Sequence, residues 1–454
     1  MTRSLERPSV PLSVVAPPPS VRWLAVFALA VGGFGIGTTE FVAMGLLPEI
    51  AASLNITEPI AGHVISAYAL GVVVGAPVIA SLTARMPRKT LLFGLITLFT
   101  LGNLASVLAP TYETLIAARF VAGIPHGAFF GVAALVAAHL MGPKNRAKAV
   151  AHVMSGLTVA TVLGVPIASF LGQHFGWRSA FGLVVVIGVA TLTAIWYWLP
   201  DLRSMHVTSP LTELSALRRP QVWLALLIGM VGFGGMFAVY TYVATTLTDV
   251  SGLSRGLVPL GLMMFGLGMV VGNLVGGKMA DISVIKGLYA SITALGVVLA
   301  LFVWAVHNPW TAMLGLFLIG VSGSAIGPAL QTRLMDVAHG AKTLAAALNH
   351  SALNIANAAG AWIGGLVIAA GYGYTAPAAS GAVLAVVGLL VLTLSVLLQR
   401  WTERSEPSDQ RRAADDLYAK WCVSVHVLGL RLDFALRPWS MSRWLSRRRL
   451  APAG

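Results

Sequence analysis

The chain has 454 residues, of which 10% are charged and 57% hydrophobic, with a mean hydropathy of +0.82 and a formal net charge of +14. Soluble domains carry charge on about 25% of their residues, so too few polar groups remain here to cover a water-facing surface, and a lipid bilayer must receive most of it. The single cysteine, Cys422, leaves neither an intrachain disulfide nor a cysteine-based metal site.

Residues 1–22 are proline-rich and interrupted by charges, with Pro17, Pro18 and Pro19 in a row. The apolar run that follows is too long for a signal-peptide core and is succeeded by others, so it is expected to stay as a helix. Backbone groups must be satisfied internally in lipid, and runs near 20 residues have the length of spanning helices, twice that of barrel strands. Such runs fall at 23–47, 61–83, 90–109, 113–139, 147–171 and 180–199, then at 221–246, 257–280, 288–306, 310–332, 344–370 and 377–399. This predicts an all-α integral membrane protein of twelve spans in two six-helix halves, 23–199 and 221–399. Between them, residues 200–220 form a polar linker with Asp201, Arg203, Glu213, Arg218 and Arg219. Residues 400–454 form a tail with 11 Lys/Arg, 6 Asp/Glu and Trp421, Trp439 and Trp444. Its basic and aromatic residues suit anionic lipid, with disorder as the alternative.

Lysine and arginine mark the cytoplasmic loops of membrane proteins. One set of loops holds Arg85, Arg88, Lys89, Lys144, Arg146, Lys148, Arg203, Arg218, Arg219, Lys278, Lys286, Arg333 and Lys342, whereas the opposite loops hold Arg178 and Arg255. Both termini are therefore expected in the cytoplasm of a cell carrying the chain in its inner or plasma membrane. The basic excess is a topology signal and calls for no nucleic-acid partner.

A constant offset of 197 positions relates Gly71, Gly75 and Gly123 to Gly268, Gly272 and Gly320, and it superposes the spans as well. A parallel six-helix repeat with a site between the halves is a transporter design. Small residues four apart, as at Gly268, Gly272 and Gly276 or Ala356, Gly360 and Gly364, allow close helix packing. Pro77, Pro125, Pro166 and Pro328 lie inside spans, where each removes a backbone hydrogen bond and favours a kink.

Glu40 and Arg119 are the intramembrane charges furthest from a basic loop, and such charges mark ion or substrate pathways. At 1.5 Å per residue both sit about 10 Å below the non-basic face, so the two can meet. Glu40 is the candidate protonatable carboxylate and Arg119 the group that holds it ionised, the alternative being a static ion pair. The offset maps them onto Phe237 and Leu316, so coupling is assigned to the first half. On span 11, His350, Asn354 and Asn357 recur at i, i+4 and i+7 and share a helical face, with Asn349 beside them. These four are candidate substrate ligands, or alternatively interhelical hydrogen-bonding groups. His126 on span 4 is a secondary substrate candidate. The chain has no P-loop, HExxH helix, GxSxG elbow or paired acidic residues at metal spacing. It is read as no enzyme, with no cofactor, no resident metal and no ATP-driven step of its own.

Three stretches carry a family likeness: Gly37 to Pro48 (GTTEFVAMGLLP), Ala61 to Gly71 (AGHVISAYALG) and Pro125 to Gly131 (PHGAFFG). With them, residues 23–399 resemble the major facilitator superfamily, within it the twelve-span drug:proton antiporter group and its arabinose-efflux-like permeases. The resemblance implies a cytoplasmic gate in the loop Leu82 to Lys89 (LTARMPRK), using Arg85, Arg88 and Lys89. Ala84 stands where the family motif has aspartate and Pro87 where it has glycine, while Asp281 occupies the offset-matched position in the second half. Arg119 matches the family's proton-linked arginine on span 4, and Gly156, Gly164 and Pro166 resemble a degenerate antiporter motif on span 5. The expectation is a monomeric, proton-coupled exporter of a sugar-like compound or drug, working by alternating access. A non-transporting sensor on the same fold, or a uniporter, are the other readings.

Overall fold

The computed structural model describes residues 19–83, 86–202, 218–338 and 342–405. The N-terminal segment, most of the linker and most of the tail lie outside these residues. The chain divides into two compact units, Met1–Leu392 and Thr393–Gly454. The first holds the spans up to the last turns of the twelfth helix, and the described part of the second is the end of that helix.

Among the described residues, twelve helices are long and apolar enough to cross a membrane. Spans 1 to 6 are Val21–Gly45, Glu58–Ala76, Arg88–Leu108, Tyr112–Gly142, Lys148–Phe175 and Arg178–Trp198. Spans 7 to 12 are Pro220–Thr241, Arg255–Ile282, Val284–Ala305, Pro309–Ala338, Leu348–Tyr372 and Ala376–Trp401. Large apolar side chains such as Val186, Trp304 and Leu390 are exposed on their outer surfaces, where lipid replaces water as the solvent. Inward, Leu29, Leu92, Phe99, Phe129, Val153 and Val184 belong to a core shared by spans 1, 3, 4, 5 and 6.

Spans 1 to 6 pack mainly among themselves, as do spans 7 to 12. The halves join along two seams, span 2 against span 11 and span 5 against span 8. Adding six to each member of the first seam, cyclically, gives the second, as expected of two repeats facing each other across a two-fold axis. The repeat is also visible atom by atom. A Cβ on Gly71 would lie 2.1 Å from the Phe120 carbonyl oxygen, and one on Gly268 would lie 2.1 Å from that of Phe317. Gly123 approaches the Tyr68 carbonyl in the same way, and Gly320 that of Phe265. All four pairs obey the 197-residue offset, so the same two backbones touch at the same height in each half. Gly268→Val should therefore wedge span 8 from span 10 and cost about 3 kcal/mol, the upper range for overpacking. Thermal unfolding in detergent checks this, with Gly71→Val expected to behave alike.

Three of the four intramembrane prolines coincide with helix irregularities. Span 4 is interrupted at Ile124 and Pro125, between helices Tyr112–Gly123 and His126–Val159. Span 5 contains a π-helical segment, Ala160–Gly164, just before Pro166, and span 10 breaks after Ser324, four residues before Pro328. Each ring displaces the carbonyl one turn earlier. Pro77 differs, since helix His63–Leu82 runs on without interruption. Spans 4 and 5 are joined through Gly142, whose φ of 71° reverses the chain where a side chain would be strained. Arg333, expected in a loop, is instead a buried residue of helix Ile326–Ala338, with its Nη2 donating to Gln221 Oε1 at 3.2 Å. Its long stem lets the charge sit at a helix end that hydropathy assigns to the loop.

Candidate functional site

Span 1 presents four consecutive buried residues, Thr38, Thr39, Glu40 and Phe41. A polar run of this kind is costly in a lipid-facing helix and stable only inside the bundle. Opposite it, span 4 begins with a capping box in which the Thr111 hydroxyl accepts from the Thr114 backbone N–H, fixing the helix that carries Arg119 two turns deeper. Arg119 is 0% exposed and Glu40 6%.

The two do not form the direct ion pair that their depths suggest. Arg119 instead clamps the neighbour of Glu40, its Nη1 donating to Thr39 Oγ1 (2.8 Å) and its Nη2 to the Thr39 carbonyl (2.9 Å). Thr39 Oγ1 in turn donates to Asn103 Oδ1 of span 3 at 2.5 Å. The guanidinium carbon lies 4.4 Å from the Tyr68 ring centroid and 5.0 Å from that of Phe181, so cation–π contact replaces part of the lost hydration. Glu40 stays within electrostatic range of Arg119 and of the Asn357 amide from the other half. A carboxyl and a guanidinium are thus buried a short way apart, with no hydrogen-bonded cation on the carboxyl among the described residues.

Span 11 supplies the facing wall. Asn349, Asn354 and Asn357 are buried and His350 half-buried. Asn354 Nδ2 donates to the His350 carbonyl at 3.0 Å. The Oδ1 atoms of all three asparagines are buried and meet no hydrogen-bond partner among the described residues, while the Asn357 amide is close enough to donate to Glu40. Buried amides without partners are expensive, so this row has unfilled capacity to bind hydrogen-bond donors. The halves also meet through aromatic rings: Phe41 lies parallel to Phe237 at 6.5 Å and edge-on to Tyr240 at 6.0 Å, and Tyr240 stacks on Phe265 at 3.9 Å. His126 joins Tyr68 of span 2 on the other side of Arg119.

On the face away from the termini the halves are fastened together. Ser66 Oγ donates to the Ala358 carbonyl (3.1 Å) and Thr245 Oγ1 to Glu58 Oε2 (2.5 Å), while within the second half Tyr242 Oη donates to the Ala361 carbonyl (2.9 Å). A small cleft there is lined by Glu49, Glu58, Gln173, Thr245, Asp249 and Arg255. Burial pushes the Glu49 carboxyl above its ordinary value, with Arg255 opposing the shift, and its Oε2 has no partner among the described residues. The folded protein therefore holds this proton to higher pH than the unfolded chain does. The resulting stability is fully present below the ordinary carboxylate value and is lost as pH rises past the raised one. Glu49→Gln should flatten the pH dependence of the melting temperature above the ordinary carboxylate range, with the variant the more stable at the alkaline end.

The gate residues are placed but not gathered. Arg85 lies outside the described residues, Arg88 is buried, and Lys89 Nζ donates to the Trp196 carbonyl at 3.0 Å. Asp281 is exposed near the end of span 8. Thr39, Asn103, Tyr68 and Phe130 are site residues that sequence reasoning misses, because threonines, asparagines and aromatics recur throughout the spans. The available signals are that Thr39 adjoins Glu40 and that Thr39, Tyr68 and Phe130 fall within the stretches 37–48, 61–71 and 125–131.

A family model described as Major Facilitator Superfamily matches residues 29–290 and 252–450. The second match runs beyond the last span, into the tail that lies outside the motif-based resemblance. The chain is similar to the inner membrane transport protein YdhP of Escherichia coli strain K12, with 40% identity over 82% of this chain and 96% of the relative. It is 33% identical to a chloramphenicol resistance protein of Streptomyces lividans, over 81% of this chain and 95% of that one. It is also 29% identical to a probable sugar efflux transporter of Pasteurella multocida, over 82% of this chain and 92% of that one.

Proposed function

The chain belongs to the Major Facilitator Superfamily and is a multi-pass membrane transporter of small molecules; from that premise we propose that it exports a small organic solute in exchange for protons. Both termini and the basic loops lie in the cytoplasm, and the two halves rock about the site between spans 1, 4 and 11. A single observation carries this reading: a buried carboxylate, Glu40, has no hydrogen-bonded cation of its own and faces amides with unfilled hydrogen-bonding capacity. A site with acceptors and a negative charge binds either a proton or a solute rich in donors, and the two compete.

In the cycle, ionised Glu40 and the asparagine row accept the solute from the cytoplasmic side. The seal formed by Ser66 on Ala358 and Thr245 on Glu58 then opens, and a proton from outside neutralises Glu40 as the solute leaves. Return of the protonated protein and release of the proton inside complete the exchange. Arg119 is a positioning residue that fixes Thr39, and through it the backbone beside Glu40, while tempering the field at the carboxylate. The solute is a sugar-like compound or an amphipathic drug. Those two classes match the sugar efflux and chloramphenicol resistance relatives, and hydroxyl or amine donors suit the amides.

The test is accumulation of radiolabelled arabinose, chloramphenicol and related compounds in inverted vesicles with an acidic interior. Accumulation that collapses with a protonophore supports exchange. Equilibration without proton movement would show a uniporter, and binding without flux a sensor.

A further inference from the structure

Two buried titratable side chains stand on the basic-loop side of Glu40 and take no part in the exchange just described. Tyr68 Oη and His126 Nδ1 are 3.1 Å apart, and both residues are at most 2% exposed. The Tyr68 ring lies against Arg119, 4.4 Å from its guanidinium carbon, and the phenol is within electrostatic range of Glu40. His126 opens the second helix of span 4, immediately after the Pro125 interruption. The break re-aims its ring toward span 2, seven residues and about 10 Å nearer the basic-loop end than Arg119. On its other side the imidazole meets the Phe130 ring edge-on at 5.3 Å. Phe130 lies parallel to His350 of span 11 at 5.8 Å, and the two histidines act on each other electrostatically. His350 is half-buried, the least enclosed of the set, and lies two residues into span 11 from its basic-loop end. The charged or titratable groups acting on this pair among the described residues are thus Glu40 and Arg119 at one end and His350 at the other, and Tyr68 packs with the apolar Val72 and Ala122.

We propose that Tyr68 and His126 relay the proton leaving Glu40 toward the basic-loop face, with His350 as the exit group. With Tyr68 donating, Nδ1 of His126 is the unprotonated nitrogen and Nε2 carries the hydrogen. The phenol passes its O–H proton to Nδ1 as its oxygen takes up the proton arriving from Glu40. The imidazolium so formed gives up its Nε2 proton on the side of Phe130 and His350, and return of the remaining ring hydrogen from Nδ1 to Nε2 resets the pair for the next proton. An ordinary packing hydrogen bond has no need of this placement. The order carboxyl, phenol, imidazole, imidazole along spans 1, 2, 4 and 11 is what a path across a dry seam requires.

This inference rests on Glu40 as the proton carrier, and the test separates the two. Full-length wild type, Tyr68→Phe and His126→Gln are reconstituted in vesicles, with radiolabelled arabinose and chloramphenicol as probes. Counterflow, which moves solute at equal pH with no net proton transfer, should keep a far larger share of its wild-type rate in both variants than gradient-driven transport does. Transport driven by a pH gradient should fall on the order of 10²-fold, with an altered dependence on the pH of the basic-loop side. Gradient-driven rates equal to wild type in both variants would overturn the relay and leave Glu40 standing. Equal loss of counterflow and driven transport would show a packing role and overturn it too. Absence of gradient-driven transport of both probes in wild type, with counterflow present, would overturn the proton-coupled reading and the relay with it.

Discussion

Glu40→Gln is expected to give a folded protein that still exchanges solute for solute but no longer accumulates it against a pH gradient, with gradient-driven rates reduced on the order of 10²-fold or more. The reason is local. Glutamine keeps the size and one acceptor of the carboxylate, and the Arg119 clamp on Thr39 does not involve Glu40, so the architecture of the site survives the change. What is lost is the group whose charge depends on proton binding. Counterflow needs the asparagine row and the moving halves, and these remain. Parallel loss of counterflow and driven transport would instead place Glu40 in the structure of the site alone.

Arg119→Met is expected to be the more damaging change to the fold, costing about 3–5 kcal/mol by leaving a buried charge uncompensated. Arg119 is wholly buried, bridges two atoms of Thr39 and is flanked by the Tyr68 and Phe181 rings. Methionine fills much of the space but meets neither Thr39 oxygen and leaves Glu40 without its counter-charge. Arg119→Lys should fall between, because a single ammonium cannot span both Thr39 acceptors as the planar fork does. The double variant Glu40→Gln/Arg119→Met should regain part of the lost stability, since the orphaned charge is removed with its partner. Thermal unfolding of the four proteins in one detergent measures the coupling. Additive losses would mean that the two charges do not sense each other.

The fold is legible in the sequence because lipid permits so few alternatives. A run of apolar residues must be helical, and basic residues crowd one set of loops, so span number follows from hydropathy and span ends move by only a few residues. The 197-residue offset is equally legible, because glycines at helix crossings cannot be replaced without parting the backbones. Arg333 shows where this reasoning slips: a charge read as a loop marker is buried in a helix end, its stem apolar enough to stay there. In the site, Glu40, Arg119 and the span-11 amides stand out because polar groups are rare in such helices. Their connections do not. Depth along a helix brings Glu40 and Arg119 to one level, yet the guanidinium has Thr39 and two aromatic faces within reach, and pairing by charge alone overlooks them. Tyr68 and His126 are invisible as a pair because span 2 and span 4 meet only in the folded bundle, after the Pro125 break has turned the histidine.

The most direct test of proton coupling at Glu40 is proton release on solute binding, measured with a pH-sensitive dye in weakly buffered detergent solution. Wild type should release protons when a transported solute is added, more at mildly acidic pH where Glu40 is protonated, and Glu40→Gln should bind the same solute and release none. Solute binding to wild type without proton release, or release undiminished in Glu40→Gln, would contradict it.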